Sequence, residues 1–473
     1  MRQKRLLPRK TSFVECRPVL VFIALAMLFS AEVFAMDTPV GDLDIYSSTK
    51  YRVQWSNSPD KAMVPNDSSD QDFYQLLGLD WNIADSGFTF HFLGKYSKDL
   101  DGTPEGSIFQ DYIDTWDERQ LFNPYYAYIE KMDILPSIDM RLGRQYAYGA
   151  ETVQFDGLWV RANNIYNFFS VEGYGGMPVQ TYLDLNRDGI GGVNLEVYPM
   201  KNLIVHLDST FYKENSVELW ADWRMADFAN MDAHWAWNNF RNDYISLGFS
   251  GEVHKTGTTI ELSFYTNFKN NTIQEFIFDY QSPEVDLGND IKRFYLQREQ
   301  GYYHSIISIS QEVPGIEGVA CFFRYARRDL MNRDDENLYN TDFQSFTTGV
   351  NLNDIFHLHG FHFSFGYTRW WEDRATQANG RKMYEAVSDS WFIDFSQRFL
   401  ERFEIAAGLY FKDEDVNAMI EGEAAHHYYG ALKYEVFHAA WAELKYEYER
   451  DDYYKEFGIS DINSLTASFN VRF

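Results

Sequence analysis

The sequence predicts an all-β protein closed into a transmembrane antiparallel β-barrel of about 18–20 strands, on three observations. The last eleven residues alternate: Leu465, Ala467, Phe469, Val471 and Phe473 form an apolar row, and Ser464, Thr466, Ser468, Asn470 and Arg472 a polar one. Hydrophobic residues make up 45% and aromatics 18% of the chain, yet the mean hydropathy is −0.42, so apolar side chains are plentiful but dispersed. Short turns also alternate with long connections. A barrel wall that is lipid-facing on one side and wet on the other requires this pattern.

The chain opens on Arg2, Lys4, Arg5, Arg9, Lys10 and Arg17 before an apolar run at 19–29, followed by Val33-Phe34-Ala35. This predicts a signal peptide over 1–35, cleaved after Ala35, because the run is short against the roughly 20 residues of a spanning helix. Cys16 precedes the apolar run, so a lipoprotein is not expected. Residues 36–473 then form a single barrel domain with one cysteine, Cys321, and no internal disulfide. Nothing before Leu43 is long enough to make a plug, which argues against a TonB-dependent transporter.

Strand-like alternation recurs through Leu43, Ile45, Tyr51 and Val53; Phe88, Phe90 and Phe92; Ile260, Leu262 and Phe264; Val319, Cys321, Phe323 and Tyr325; Phe361, Phe363 and Phe365; Phe403, Ile405 and Leu409; and Ala442, Leu444 and Tyr446. Short turns are expected at 84–87, 133–137, 163–165, 199–202, 254–257, 314–318, 356–360, 399–402 and 437–439. Long connections are expected at 56–71, 97–121, 213–242 and 269–301. Short turns on the periplasmic side and long loops outside give about twenty strands, or eighteen if 154–175 is read differently, with both termini in the periplasm.

The formal net charge is −28, which argues against nucleic acid as a partner. Much of the acid lies in predicted loops, such as Asp99, Asp101, Glu105, Asp111 and Asp114. These are read as solvated loops, or as carboxylates that divalent cations bridge to each other or to lipopolysaccharide phosphates.

Strand phase places Lys50, Arg52, Lys95, Arg141, Arg161, Arg324, Arg398, Lys433 and Lys445 inward, against Asp80, Glu196, Asp208, Glu261, Asp394, Glu404, Glu435, Glu443 and Glu447. The structural reading is cross-strand pairing that stiffens the wall. The functional one is a pore lining of Arg52, Lys95, Arg141, Arg161, Arg324 and Arg398, since basic rings select anions and guanidinium forks suit carboxylates. Tyr125, Tyr126, Tyr128, Trp370, Trp371, Phe437 and Trp441 are read as interfacial girdles. An aromatic sugar slide would instead need Trp159 or Trp370 inside.

No catalytic site, cofactor or metal centre is predicted. His357, His359 and His362 sit at a predicted turn without further ligands. His304 and Ser305, as neighbours in a strand, point to opposite faces and cannot act as base and nucleophile.

Residues 140–162 carry Gly143, Arg144 and Gln145 at the end of one strand and Phe155, Asp156 and Gly157 at the start of the next. This resembles the alginate-export family of outer-membrane channels and neighbouring large porins. The closing strand, with Phe469, Val471 and Phe473, resembles the signal that barrel-insertion machinery reads. The resemblance implies a barrel in the outer membrane of a Gram-negative bacterium, among outer-membrane lipid and lipopolysaccharide, that passes small solutes or an anionic polysaccharide. The function expected is a porin-like channel for small hydrophilic or anionic solutes, by passive or facilitated diffusion. The alternatives are an alginate-like exopolysaccharide export channel, which should show an arginine-rich constriction, and the barrel sheath of an electron conduit, which would need a cytochrome partner. Any periplasmic partner is left open.

Overall fold

Twenty-two strands, each antiparallel to its neighbours in chain order, form a single sheet that returns on itself where the last strand pairs with the first long one. The computed structural model describes residues 37–38, 41–57, 69–84, 86–101, 119–150, 152–179, 189–212, 215–268, 301–331, 342–355, 358–373, 385–416, 423–451, 459 and 461–472. A two-residue strand β1 (Asp37–Thr38) is an appendix to β2 (Gly41–Trp55). The wall continues through β3 (Ser69–Ile83), β4 (Phe88–Asp99), β5 (Gln120–Leu135), β6 (Ile138–Ala147), β7 (Val153–Ile165), β8 (Phe169–Pro178), β9 (Ile190–Met200), β10 (Leu203–Phe211) and β11 (Asn215–Ala226). It goes on through β12 (Ala229–Asn238), β13 (Arg241–Val253), β14 (Thr258–Asn267), β15 (Tyr302–Glu312), β16 (Val319–Leu330) and β17 (Asp342–Asn353). It closes with β18 (Phe361–Asp373), β19 (Glu385–Phe399), β20 (Phe403–Val416), β21 (Glu423–Phe437), β22 (Ala440–Asp451) and β23 (Ile462–Arg472).

Closure satisfies the backbone groups that an open edge would leave bare in lipid. It also fixes which face is which. Leu142, Leu158 and Leu207 lie 59%, 42% and 44% exposed on one row, whereas Asp139, Asp208 and Thr210 lie 4%, 6% and 0% exposed on the alternate row. The exposed apolar row is the outer, lipid-facing surface, and the polar row faces the lumen.

Two strands more than the upper expectation are present. The segment 213–242, expected as one long connection, holds the whole of β11 and β12, which pair along their length. Their outer row of Leu219, Ala221 and Trp223 against Trp235, Ala233 and Met231 is regular. Their turns, however, lack the glycine and proline that signal a hairpin. Asn239 and Phe240 both adopt positive φ, 48° and 63°, as a type I′ hairpin turn requires. Asparagine accommodates that conformation readily; the phenylalanine does so in solvent, at 89% exposure.

The connections at one end of the barrel span at most 354–360, while those at the other reach 268–301. At the long-loop end the connections between β6 and β13 are 148–152, 179–189, 212–214 and 239–240, three of them short. The chain ends meet at β2 and β23. Asp461 there accepts hydrogen bonds from Ser56 Oγ (3.2 Å) and Asn57 Nδ2 (3.2 Å). Phe469 and Val471 are buried with Ala440, whereas Phe473 lies outside the described residues.

Candidate functional site

One sector of the inner wall is thick and acidic. Phe155, Trp159, Tyr174 and Ile190, all on the inner row of β7 to β9, bury one another with Ala147. Tyr174 fits because its cross-strand partner is Gly192: a Cβ there would lie 2.3 Å from the tyrosine ring. The tyrosine hydroxyl then reaches Thr210 Oγ1 at 2.8 Å. Beside this cluster the wall encloses a recess of about 640 Å³, lined among others by Arg141, Arg161, Glu172, Asn194, Asp208 and Trp220.

Register builds a continuous inner row across five strands: Arg161, Glu172, Asn194, Asp208 and Glu218. Arg161 does not serve its neighbour Glu172 but bonds Glu196 at 2.8 Å. Arg141 bonds Glu130 at 2.6 Å and lies over the Trp159 ring at 4.3 Å. Glu218 accepts from Tyr244 Oη at 2.8 Å and contacts His234 Nδ1 at 2.8 Å. Trp220 stacks on His206 at 3.6 Å, extending the aromatic wall toward His234 at 5.6 Å. Both arginines of the recess are thus neutralised, and carboxylates remain in excess.

A second sector, β22 through β4, gathers three cations round one tyrosine. Lys50, Arg52 and Lys95 surround the Tyr74 ring at 5.8, 5.6 and 4.7 Å. Arg52 is held by Asp72 and, at 3.6 Å, by Asp70, both with fully buried carboxylates. Lys445 pairs with Glu447 at 2.7 Å. Lys50 and Lys95 make no ion pair among the described residues, so their ammonium groups face the lumen with the tyrosine π-face between them.

All six arginines and lysines singled out from the sequence stand on the inner row, but their surroundings differ. Arg52, Arg141, Arg161 and Arg398 are each tied to a carboxylate, Arg398 to Glu435 at 3.1 Å. Lys95 and Arg324 have no such partner among the described residues; Arg324 is exposed opposite Ser308 and Thr347. The sequence reading passed over Tyr74 and Asn194. Neither has a local signal, since each matters through neighbours on other strands.

The 140–162 motif divides between faces. Gly143, with φ 132°, lets the backbone approach Ala127 O, which a Cβ would meet at 2.4 Å. Gln145 Nε2 donates to Gly157 O at 3.1 Å, and Phe155 is fully buried on the inner side. Arg144 and Asp156 point outward, joined at 2.8 Å by two guanidinium donors.

The girdle expectation needs correction. Tyr126, Tyr128, Trp370 and Trp441 share rungs with Leu93, His91, Ser345 and Glu435 and so face inward. Adjacent tryptophans in a strand must part to opposite faces, and Trp371 is the outer one. Trp159 is buried beneath Arg141, and Trp370 stacks on Phe343 at 4.0 Å. His357 lies outside the described residues, and His304 and Ser305 point to opposite faces.

Asp70, Asp99 and Asp101 form the one group of acidic ligand atoms compact enough for a metal ion among the described residues. Two arginines stand against it, Arg52 at 3.6 Å from Asp70 and Arg119 at 3.3 Å from Asp99.

Fold and wall together define a large transmembrane β-barrel whose lumen is polar. No protein-family model matches the chain, and no curated protein matches it in sequence. Among solved structures it is similar to a BenF-like porin from Pseudomonas fluorescens Pf-5, at 11% identity and a TM-score of 0.46, over 91% of this chain and 99% of that one. It is similar also to Pseudomonas aeruginosa OccK2 (OpdF) in complex with glucuronate, at 10% identity and TM-score 0.43, over 91% and 98% of the two chains. Acinetobacter baumannii OccAB4 matches at 8% identity and TM-score 0.42, over 93% and 100%.

Proposed function

We propose that the protein is an outer-membrane channel for small hydrophilic solutes, exported behind its signal peptide, and that anionic groups of those solutes contact Lys50 and Lys95 on the way through. The observation that carries the reading is a closed wall with two ammonium groups that make no ion pair among the described residues and the exposed Arg324 guanidinium turned into the lumen. Every strand among the described residues belongs to that wall, and barrels of this size enclose a space wide enough for solutes. Unpaired cations in a pore raise the local concentration of anions. An alginate-like export path is less well supported, because four of the six candidate basic side chains are tied to carboxylates rather than presented to a polyanion.

Single-channel recording in planar bilayers across a potassium chloride gradient tests this. A stable conductance is expected, and the K50Q/K95Q double variant should lower the chloride-to-potassium permeability ratio by about tenfold to thirtyfold, because each lost charge contributes on the order of 1 kcal/mol near a passing ion. Absence of any conductance would sink the channel reading; an unchanged ratio would remove the two lysines from it.

A further inference from the structure

We propose that Glu172, Asn194 and Asp208 form a subsite on the lumen wall for the ammonium or guanidinium group of an organic solute, a proposal that rests on the channel reading above. Adjacent strands set the three side chains in one row: Glu172 is in register with Asn194, and Asn194 with Asp208. All three line the recess beside the Trp159 cluster.

Asp208 is 6% exposed, and among the described residues its carboxylate has one hydrogen bond, from Trp220 Nε1 at 2.8 Å, and no cationic partner. A buried carboxylate normally requires a counter-charge. Instead Glu218 stands directly opposite it, an arrangement that costs stability because like charges on one rung repel. Asn194 is 9% exposed; its Nδ2 donates to Glu172 Oε1 at 3.2 Å and to Tyr148 O at 3.0 Å. Its Oδ1 has no hydrogen-bond partner among the described residues.

Arg161 Nη2 is given to Glu196 and Trp220 Nε1 to Asp208, and the carboxylates of Glu172 and Asp208 line the recess as acceptors. A ligand that completes it must bring N–H groups and positive charge; a carboxylate or phosphate would meet repulsion. A small metal ion fits poorly. Glu172 and Asp208 stand two strands apart, about 10 Å between their backbones, whereas calcium holds its oxygens at about 2.3–2.6 Å. An organic cation that spans the asparagine reaches both carboxylates.

Isothermal titration of the detergent-solubilised full-length chain with putrescine is the test, with 1,4-butanediol, succinate and calcium chloride as controls. Putrescine should bind, butanediol and succinate should not, and D208N should weaken putrescine at least about tenfold, the scale of one ionic hydrogen bond. D208N keeps an oxygen acceptor for Trp220. Should D208N not fold, N194L, which removes the unpartnered acceptor without touching a charge, should weaken putrescine by a smaller factor. No putrescine binding by folded protein, full binding retained in both variants, or calcium binding that abolishes putrescine binding at the same row would each overturn the proposal. Conductance without putrescine binding would defeat this subsite alone, whereas binding without conductance would defeat the channel reading and leave the subsite standing.

Discussion

The wall from β22 through β4 and the wall from β7 through β12 hold their charges differently. On the first, the buried acids Asp70 and Asp72 are held by Arg52, and Lys50 and Lys95 sit on long, half-exposed stems beside Tyr74. On the second, the arginines are used up by Glu130 and Glu196, and the surplus acids are buried among neutral donors. Lysine can keep its head in water while its stem covers the wall, so its charge stays in the lumen at little cost. A short aspartate cannot. The difference teaches that lumen charge must be read from what remains after pairing, not from the list of inward residues.

The largest effect should come from the guanidinium that holds two buried carboxylates. R52M leaves Asp70 and Asp72 without their guanidinium, and both carboxylates are fully buried. Breaking such a pair typically costs about 3 kcal/mol. Urea unfolding followed by tryptophan fluorescence should show that loss, while K50M, which removes a charge with no ion pair among the described residues, should leave the stability within about 0.5 kcal/mol. Equal losses would break the distinction between tied and untied cations.

A smaller loss is expected on the acidic wall from G192A, whose new methyl would collide with the Tyr174 ring and with Ser209 O at 2.4 Å. Overpacking of this kind costs about 1–3 kcal/mol. The same unfolding measurement checks it, and a G192A/Y174L double variant should recover most of the loss. The smallest effect belongs to R161M. Its pair with Glu196 is partly exposed, at 34% and 21% for the two side chains, so solvent screening limits its contribution to about 1 kcal/mol. An R161M loss as large as that of R52M would mean that the two walls are tied together in the same way after all.

Much of the fold was legible in the chain. Alternation along Phe361, Phe363 and Phe365, or Leu465, Ala467 and Phe469, marks one face without any tertiary knowledge, because period two is a property of the extended backbone. The turns at 84–87 and 254–257 were readable for a similarly local reason, with Gly87 and Gly257 in positive φ. The β11–β12 hairpin was not. Its turns use Asp227, Phe228, Asn239 and Phe240, none of them a glycine or proline. Leu219 lies on the outer row and Trp220 on the inner one, so apolar side chains fall on both faces and the alternation is weak.

Which side chains of a strand share a face was therefore determined by the sequence alone, and the expectation of export rests on the sequence entirely. Only the tertiary structure decided the strand number, the pairing of β2 with β23, and the rows that cross several strands. Lys50, Tyr74 and Lys95 meet, and Glu172, Asn194 and Asp208 line up, through hydrogen-bond register between strands whose connections do not specify it. Register in a barrel is set by closure of the whole sheet, where every strand must match both neighbours at once. That constraint is non-local, and it is what separates an untied cation from a paired one.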